Sequence, residues 1–255
     1  MIFVLLYNNK MTQNTTHKIA VVMKTHIWNN DIELFSKKIN NESFSNGIKF
    51  FILLHDESGN LINQIDNSLK NIVLTFTEKD IQNLYPTGFY SMWLSNHWIL
   101  MWFFQKYGDK YDYIWSVEYD VRISGESNLL WNCDDNSDFL FVRGNYINPK
   151  NKYNNHYVGN NLDENNKYHG YLQLARYSKK SLEYLNECYN NGNNGQDELI
   201  TFSLLNKSGL SMSKNFLQKL VRGTWTWQEI YSASNRKIYN YLQKKNILAI
   251  FHPIK

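Results

Sequence analysis

Cysteine is scarce: Cys133 and Cys188 are the only two in 255 residues. So few, so far apart, they build no disulfide framework and no zinc-ligand spacing, which suits a reducing compartment. Sustained runs of Lys or Arg are missing too, and the formal net charge is only +4. A track for a phosphate backbone needs denser cations, so nucleic acid is not an expected partner. Long apolar runs are also lacking. MIFVLLYNNK opens with a short one, without a basic leader or a small-residue cleavage site, and far too short to span a bilayer. Phe89–Tyr107 comes nearest, but Ser91, Asn96, His97 and Gln105 interrupt it. No membrane span is expected, and the chain reads as soluble or cytoplasmic. The folded pattern begins only at Lys18, which leaves Met11 as an alternative start.

Aromatic residues and asparagine are plentiful. Aromatics make up 16% of the chain, and there are 36 Asn, clustered at 150–166 and 190–194. Aromatics in surplus suit surfaces that stack on sugar rings or bases. AT-rich coding gives the same Tyr, Phe, Ile, Asn and Lys excess, as in an AT-rich microbe or a large DNA virus. The Asn clusters read as polar loops or insertions.

Hydrophobic patterning predicts strands over Lys18–Lys24, Ile48–Leu54, Asn71–Phe76, Tyr113–Val117 and Phe139–Val142. Between them lie an amphipathic helix over Asn30–Asn41, a helical turn over Thr77–Leu84 and a long helix over Phe89–Tyr107, apolar nearly all round and hence buried. Trp93, Trp98 and Trp102 on that helix are expected in the core. The order β-α-β-β-α-β implies an α/β fold with a mostly parallel central sheet flanked by helices. Further on, Tyr171–Tyr177 alternates like a strand and Ser178–Tyr189 carries a helical stripe. Helices are expected over Gln196–Leu205 and Lys237–Lys244, and a last strand over Ile247–Phe251.

The most informative stretch is Tyr111–Gly125, YDYIWSVEYDVRISG. An aromatic, β-branched run ends in two acids one residue apart, Glu118 and Asp120. Charges at the end of a buried strand are costly unless a cation or a hydrogen-bonded partner satisfies them. Carboxylate oxygens are the ligands that Mg²⁺ and Mn²⁺ prefer. A divalent-metal site at the carboxyl end of a central strand follows, where open α/β sheets bind ligands. The competing reading is an ion pair to Arg122 or a cap on the next helix.

In this stretch the chain resembles a GT-A type glycosyltransferase, of the nucleotide-diphospho-sugar transferase superfamily. WSVEYDVRISG is similar to a eukaryotic branch with an E-Y-D-V-R-x-x-G signature, an E-x-D variant of the D-x-D motif. The departure from D-x-D is the first acid, Glu118. The resemblance implies a Rossmann-like GT-A fold, with the acids holding Mn²⁺ or Mg²⁺ against the diphosphate of a UDP- or GDP-sugar. It implies a nucleotide-sugar half over 18–144 after an extension of 1–17. An Asn-rich loop or insertion then fills 145–166, and a less regular acceptor half covers 167–255, taking a glycan, protein or lipid acceptor.

Thr25, His26 and Asp56 follow the first two strands, where the resemblance implies contacts to the nucleoside; turn chemistry alone would also explain Asp56. His252 ends the last strand, where an imidazole can ligate metal, and the resemblance implies such a C-terminal His ligand. Lys255 can neutralise a departing diphosphate. Asp197 and Glu198 open a helix, where capping alone accounts for acids. The resemblance makes them an acceptor-half pair, one of which is the general base, with Asp197 favoured. Trp225 and Trp227 can stack on an acceptor, although core packing also explains them. Two alternatives stand beside a transferase. One is a nucleotidyltransferase or sugar-nucleotide hydrolase on a similar sheet; nucleotidyltransferases usually show a Gly- and Lys/Arg-rich loop where this chain reads THIWNN, which counts against them. The other, a non-catalytic carbohydrate-binding relative, needs no metal.

Overall fold

The computed structural model describes residues 17–86, 88, 91–147, 159–160, 162 and 167–255. All of the extension but His17, and most of the Asn-rich segment, lie outside the described residues. In chain order the strands are β1 (Ile19–Thr25), β2 (Lys49–His55), β3 (Val73–Phe76), β4 (Tyr113–Glu118), β5 (Arg122–Ser124), β6 (Phe139–Phe141) and β7 (Gly144–Tyr146), then β8 (Gly159–Asn160), β9 (Tyr168–Gly170), β10 (Leu174–Ser178), β11 (Asn194–Gly195), β12 (Met212–Ser213) and β13 (Ala249–Phe251). The helices are α1 (Asn30–Phe44), α2 (Glu78–Gln82), α3 (His97–Tyr107), α4 (Asn128–Trp131), α5 (Lys179–Asn190), α6 (Asp197–Lys207), α7 (Asn215–Leu220) and α8 (Ser232–Lys244).

Seven strands form the central sheet in the order β12-β6-β10-β4-β1-β2-β3. β1 pairs in parallel with both β2 and β4, and β2 with β3. β10 runs antiparallel between β4 and β6. The first half therefore has the expected α/β architecture, and the sheet is mostly parallel. β1 shows why. All seven of its residues are buried, because each face of the sheet carries its own core. Ala20 and Val22 face the side of α3, α5 and α6, while Val21 and Met23 face α1. Trp98 and Trp115, both 0% exposed, anchor the two layers.

α1 starts where Asn29 caps it, its side chain accepting a hydrogen bond from Ile32 N at 2.9 Å. Ile32, Phe35 and Ile39 then face the sheet. α3 is shorter than its apolar run suggests. It begins at His97, and the preceding residues 92–96 form turns. Trp98 and Trp102 are core, as expected, but Trp93 is 78% exposed. It was expected in the core because the run is apolar nearly all round; the later start of α3 leaves it in a turn instead.

Strand order sets the position of the site. From β1 the chain builds outward through β2 and β3, then returns to place β4 on the other side of β1. That reversal leaves a crevice outside the carboxyl ends of β1 and β4, the place where open α/β sheets bind ligands.

Candidate active site

A cavity of about 1130 Å³ occupies this crevice. Thr25 and His26 enter it from the end of β1, Glu118 and Asp120 from the end of β4. Tyr119 N donates to Lys24 O at 3.1 Å and Val121 N to Glu118 O at 3.0 Å, so the chain turns tightly just past the sheet. Both acids consequently open into the cavity. Arg122 is not their partner. Its guanidinium is buried and turned away, donating to Asp31 at 2.8 Å and to the carbonyls of Tyr119 and Val121 at 2.6 and 2.9 Å. Arg236 holds Asp31 through two further bonds of 3.1 Å. The arginine of the EYDVR run thus braces the turn from behind and leaves both carboxylates unneutralised by it.

His252 arrives from the far end of the chain. β13 pairs antiparallel with β5, Phe251 opposite Arg122 and Ala249 opposite Ser124. Ile254 N donates to Asp120 O at 2.8 Å. This pairing sets His252 Nε2 3.3 Å from Asp120 Oδ1. Asp120 is 6% exposed and His252 3%, yet beyond this long contact with His252 neither Asp120 Oδ1 nor His252 Nδ1 has a partner among the described residues. One oxygen or nitrogen from each of Glu118, Asp120 and His252 lies within 4.8 Å of the others. A cation about 2.1 Å from each donor needs pairs of ligands roughly 3–4 Å apart, so small side-chain adjustments close the set. The two carboxylates suit both Mn²⁺ and Mg²⁺, and the imidazole favours Mn²⁺ of the two. A buried acid oxygen without a donor is also what a cation site looks like when its residues are considered alone.

The two acids differ in their electrostatics. Burial pushes the Glu118 carboxyl up, with Lys24 opposing. Lys24 Nζ lies 3.9 Å from it, and Asn96 Nδ2 donates to Glu118 Oε1 at 2.9 Å. Burial raises Asp120 too, but His252 and Lys255 outweigh it and hold the carboxyl below its usual range. Burial, with His55 and Lys255, depresses His26, so its imidazole is neutral at pH 7. Its ring meets Tyr119 edge-on at 5.1 Å. Lys255 lines the cavity while its amine pairs with Glu229 at the rim.

A second group of acids faces these across the cavity. Asp197 N donates to Leu94 O at 2.8 Å, tying α6 to the turn that carries Trp93. Glu198 is oriented from both sides: Gln173 Nε2 donates to Oε1 at 2.9 Å, and His169 Nε2 lies 3.2 Å from Oε2. Burial and the neighbouring Glu198 push Asp197 well above the ordinary carboxylate range.

Two candidates lie elsewhere. Asp56 is absent from the cavity wall; its carboxylate accepts from Ser58 Oγ at 3.2 Å, Asn60 N at 3.1 Å and Ile62 N at 3.0 Å, the turn chemistry its sequence also allowed. Trp225 does not reach the cavity either. It is 1% exposed and packs 5.5 Å from the His252 ring, as a wall behind it. Trp227, by contrast, is 70% exposed and lines the cavity. Sequence reasoning missed Lys24, Asn96, His169, Gln173 and the exposed Trp93. Only Lys24 carried a signal, as a charge inside an otherwise apolar strand.

No family model matches the sequence, and no curated protein matches it. Solved structures do. The chain is similar to the inositol-1-phosphate CTP transferase of T. maritima, at 13% identity over 77% of this chain and 84% of that one, TM-score 0.44. It is similar to a Drosophila β-1,4-galactosyltransferase 7 in complex with manganese, UDP-Gal and xylobiose, at 16% identity over 78% of this chain and 64% of that one, TM-score 0.41. It is also similar to the galactosyltransferase LgtC in complex with donor and acceptor sugar analogues, at 14% identity over 76% and 72%, TM-score 0.38. Likeness at this level leaves the chemistry of the site to its own residues.

Proposed function

We propose that this chain is a metal-dependent glycosyltransferase, moving a sugar from a UDP- or GDP-sugar to a hydroxyl of a glycan, protein or lipid acceptor. The observation that carries the reading is the convergence of Glu118, Asp120 and His252 in one cavity at the switch point of the sheet. When bound there, Mn²⁺ or Mg²⁺ supplies positive charge to the leaving diphosphate. Glu118, Asp120 and His252 are its holders. Lys255, at the rim, adds a cation beside the same phosphates. Thr25 and the neutral His26 offer hydrogen-bonding groups to the nucleoside. Trp227 and Trp93 present open ring faces on which a sugar can stack.

Of the acceptor-half acids, Glu198 is the better base. Gln173 and His169 fix the Glu198 carboxylate in orientation at the cavity wall, whereas burial and the neighbouring Glu198 disfavour the charged form of Asp197. Glu198→Gln is expected to leave donor Kd within twofold and to lower kcat by about 10²–10⁴.

Incubation with a panel of UDP- and GDP-sugars, with Mn²⁺, Mg²⁺ or a chelator, tests the assignment. Slow release of nucleoside diphosphate, abolished by the chelator, is the expected result. Nucleoside monophosphate or pyrophosphate among the products would reassign the site to a hydrolase or nucleotidyltransferase. Sugar binding with neither turnover nor metal dependence would make the chain a non-catalytic carbohydrate binder.

A further inference from the structure

Charge is distributed very unevenly along this chain. From Leu199 to Lys255 there are nine Lys or Arg residues and one acid, Glu229. The excess of eight positive charges is twice the net charge of the whole protein, so the remainder is acidic overall. Asymmetry of this kind points to a negatively charged partner for the basic part.

α8 gathers these charges on one face. Ser234, Lys237, Ile238, Tyr241, Lys244 and Lys245 are exposed at helical spacing, while Ser232 and Asn235 are buried beneath. Lys237, Lys244 and Lys245 pair with no carboxylate among the described residues, unlike Arg236 on the flank, which binds Asp31. Arg222 borders the same face: a methyl group on its neighbour Gly223 would stand 3.6 Å from Ile238 Cδ1. Large apolar groups are interleaved with the lysines. Tyr241 is 62% exposed, Ile238 39%, and Ile230 and Ile247, beyond the two ends of the helix, 79% and 46%. Ordinary solvated helices alternate charges of both signs. A stripe of lysines without carboxylate partners around apolar tips, with acids only at its two margins, where Glu229 pairs with Lys255 and Glu126 accepts from Asn246, is instead the composition of a helix that lies on an anionic bilayer, rings and aliphatic tips in the headgroup layer and ammonium groups on the lipid phosphates.

We propose that the outer face of α8, with Arg222, docks this protein on membranes rich in anionic lipid. The proposal does not depend on the chemistry of the cavity. Ser232, the first residue of α8, is hydrogen-bonded to Lys255 at the cavity rim through its hydroxyl, at 2.7 and 3.1 Å. Docking therefore brings one edge of the cavity towards the lipid surface.

Sedimentation with sucrose-loaded vesicles tests this. Binding to vesicles of phosphatidylcholine with 30–40% phosphatidylserine (roughly the anionic fraction such docking needs) is expected, weakening at least tenfold between low and high salt, with no binding to pure phosphatidylcholine. The triple variant Lys237→Glu, Lys244→Glu, Lys245→Glu should lose at least tenfold in partitioning. A matched reversal of the exposed Lys49, Lys70 and Lys79 should keep it, and thermal melts should establish that both variants fold. Equal loss in the two variants, no binding by the native chain, or equal binding to neutral vesicles overturns the proposal. So does salt-sensitive binding to single-stranded RNA in the absence of vesicle binding, which would assign the lysines to a nucleic acid.

Discussion

Replacing Asp120 with Asn is expected to weaken Mn²⁺-dependent binding of a sugar nucleotide by at least about 100-fold, equivalent to roughly 2.7 kcal/mol. Binding without metal should change little. The substitution keeps the shape of the side chain and removes the charge. Asp120 Oδ1 is buried with His252 Nε2, 3.3 Å away, as its one close partner among the described residues, so the change costs that single contact and strands no other donor. The melting temperature should fall by only a few degrees. Titration calorimetry with and without Mn²⁺, beside a thermal melt, separates the effects. Unchanged Mn²⁺-dependent affinity in a folded variant would remove the cation from this site, and the proposed transferase with it.

Gly125→Ala should damage the same site from behind. Gly125 has φ of +67°, which an L side chain adopts only under strain. A Cβ there would also lie 2.7 Å from Ile247 C and 2.7 Å from Leu248 N, both backbone atoms that cannot rotate aside. Strain and overpacking together cost about 3 kcal/mol, a loss of roughly 10 °C in Tm for a chain of this size. The segment pushed away leads directly into β13, so His252 leaves Asp120 and cation affinity falls as well. Gly209→Ala isolates the strain, because Gly209 has a similar φ of +76° and open space around it. It should cost about 1 kcal/mol and leave cation binding intact. Equal melting temperatures and equal Mn²⁺ affinities in the two variants would mean that the β5–β13 contact does not position His252.

The parts of this molecule legible from sequence are those decided locally. β1, β2 and β4 are apolar because both sheet faces are covered, and a continuous apolar run is what that burial requires. Glu118 and Asp120 stand out for the same reason, as charges at the end of such a run. What escaped notice depends on distant pairing. His252 was reached only through the family resemblance, because its meeting with Asp120 follows from the register of β13 on β5, which no local pattern encodes. Trp93 was misjudged because an apolar run does not announce where its helix begins; Trp225 and Trp227 each had two readings, core packing or stacking, because exposed and buried tryptophans look alike in an extended segment. The elevated Asp197 reflects burial and a charged neighbour, both properties of the assembled cavity. Asp56 shows the opposite limit: an acid after a strand serves a turn as readily as a ligand.

The reversed strand β10 has a consequence for how such a protein can diversify. Its neighbours in the sheet leave the sheet at the crevice; β10 enters there, so Gln173, just ahead of it, meets Glu198 and its carbonyl accepts from Glu118 N at 2.8 Å. Upstream, β7 and β9 pair antiparallel, Tyr146 opposite Tyr168, and bring together the two ends of whatever sequence connects them. A connection clamped in this way can lengthen cheaply, since each doubling costs only about 0.6 kcal/mol in closure entropy. Insertions between Tyr146 and Tyr168 would thus remodel the wall beside His169 and Glu198 while β1, β4 and the cation ligands stay untouched. Selectivity for one substrate could drift there independently of the machinery that grips the other.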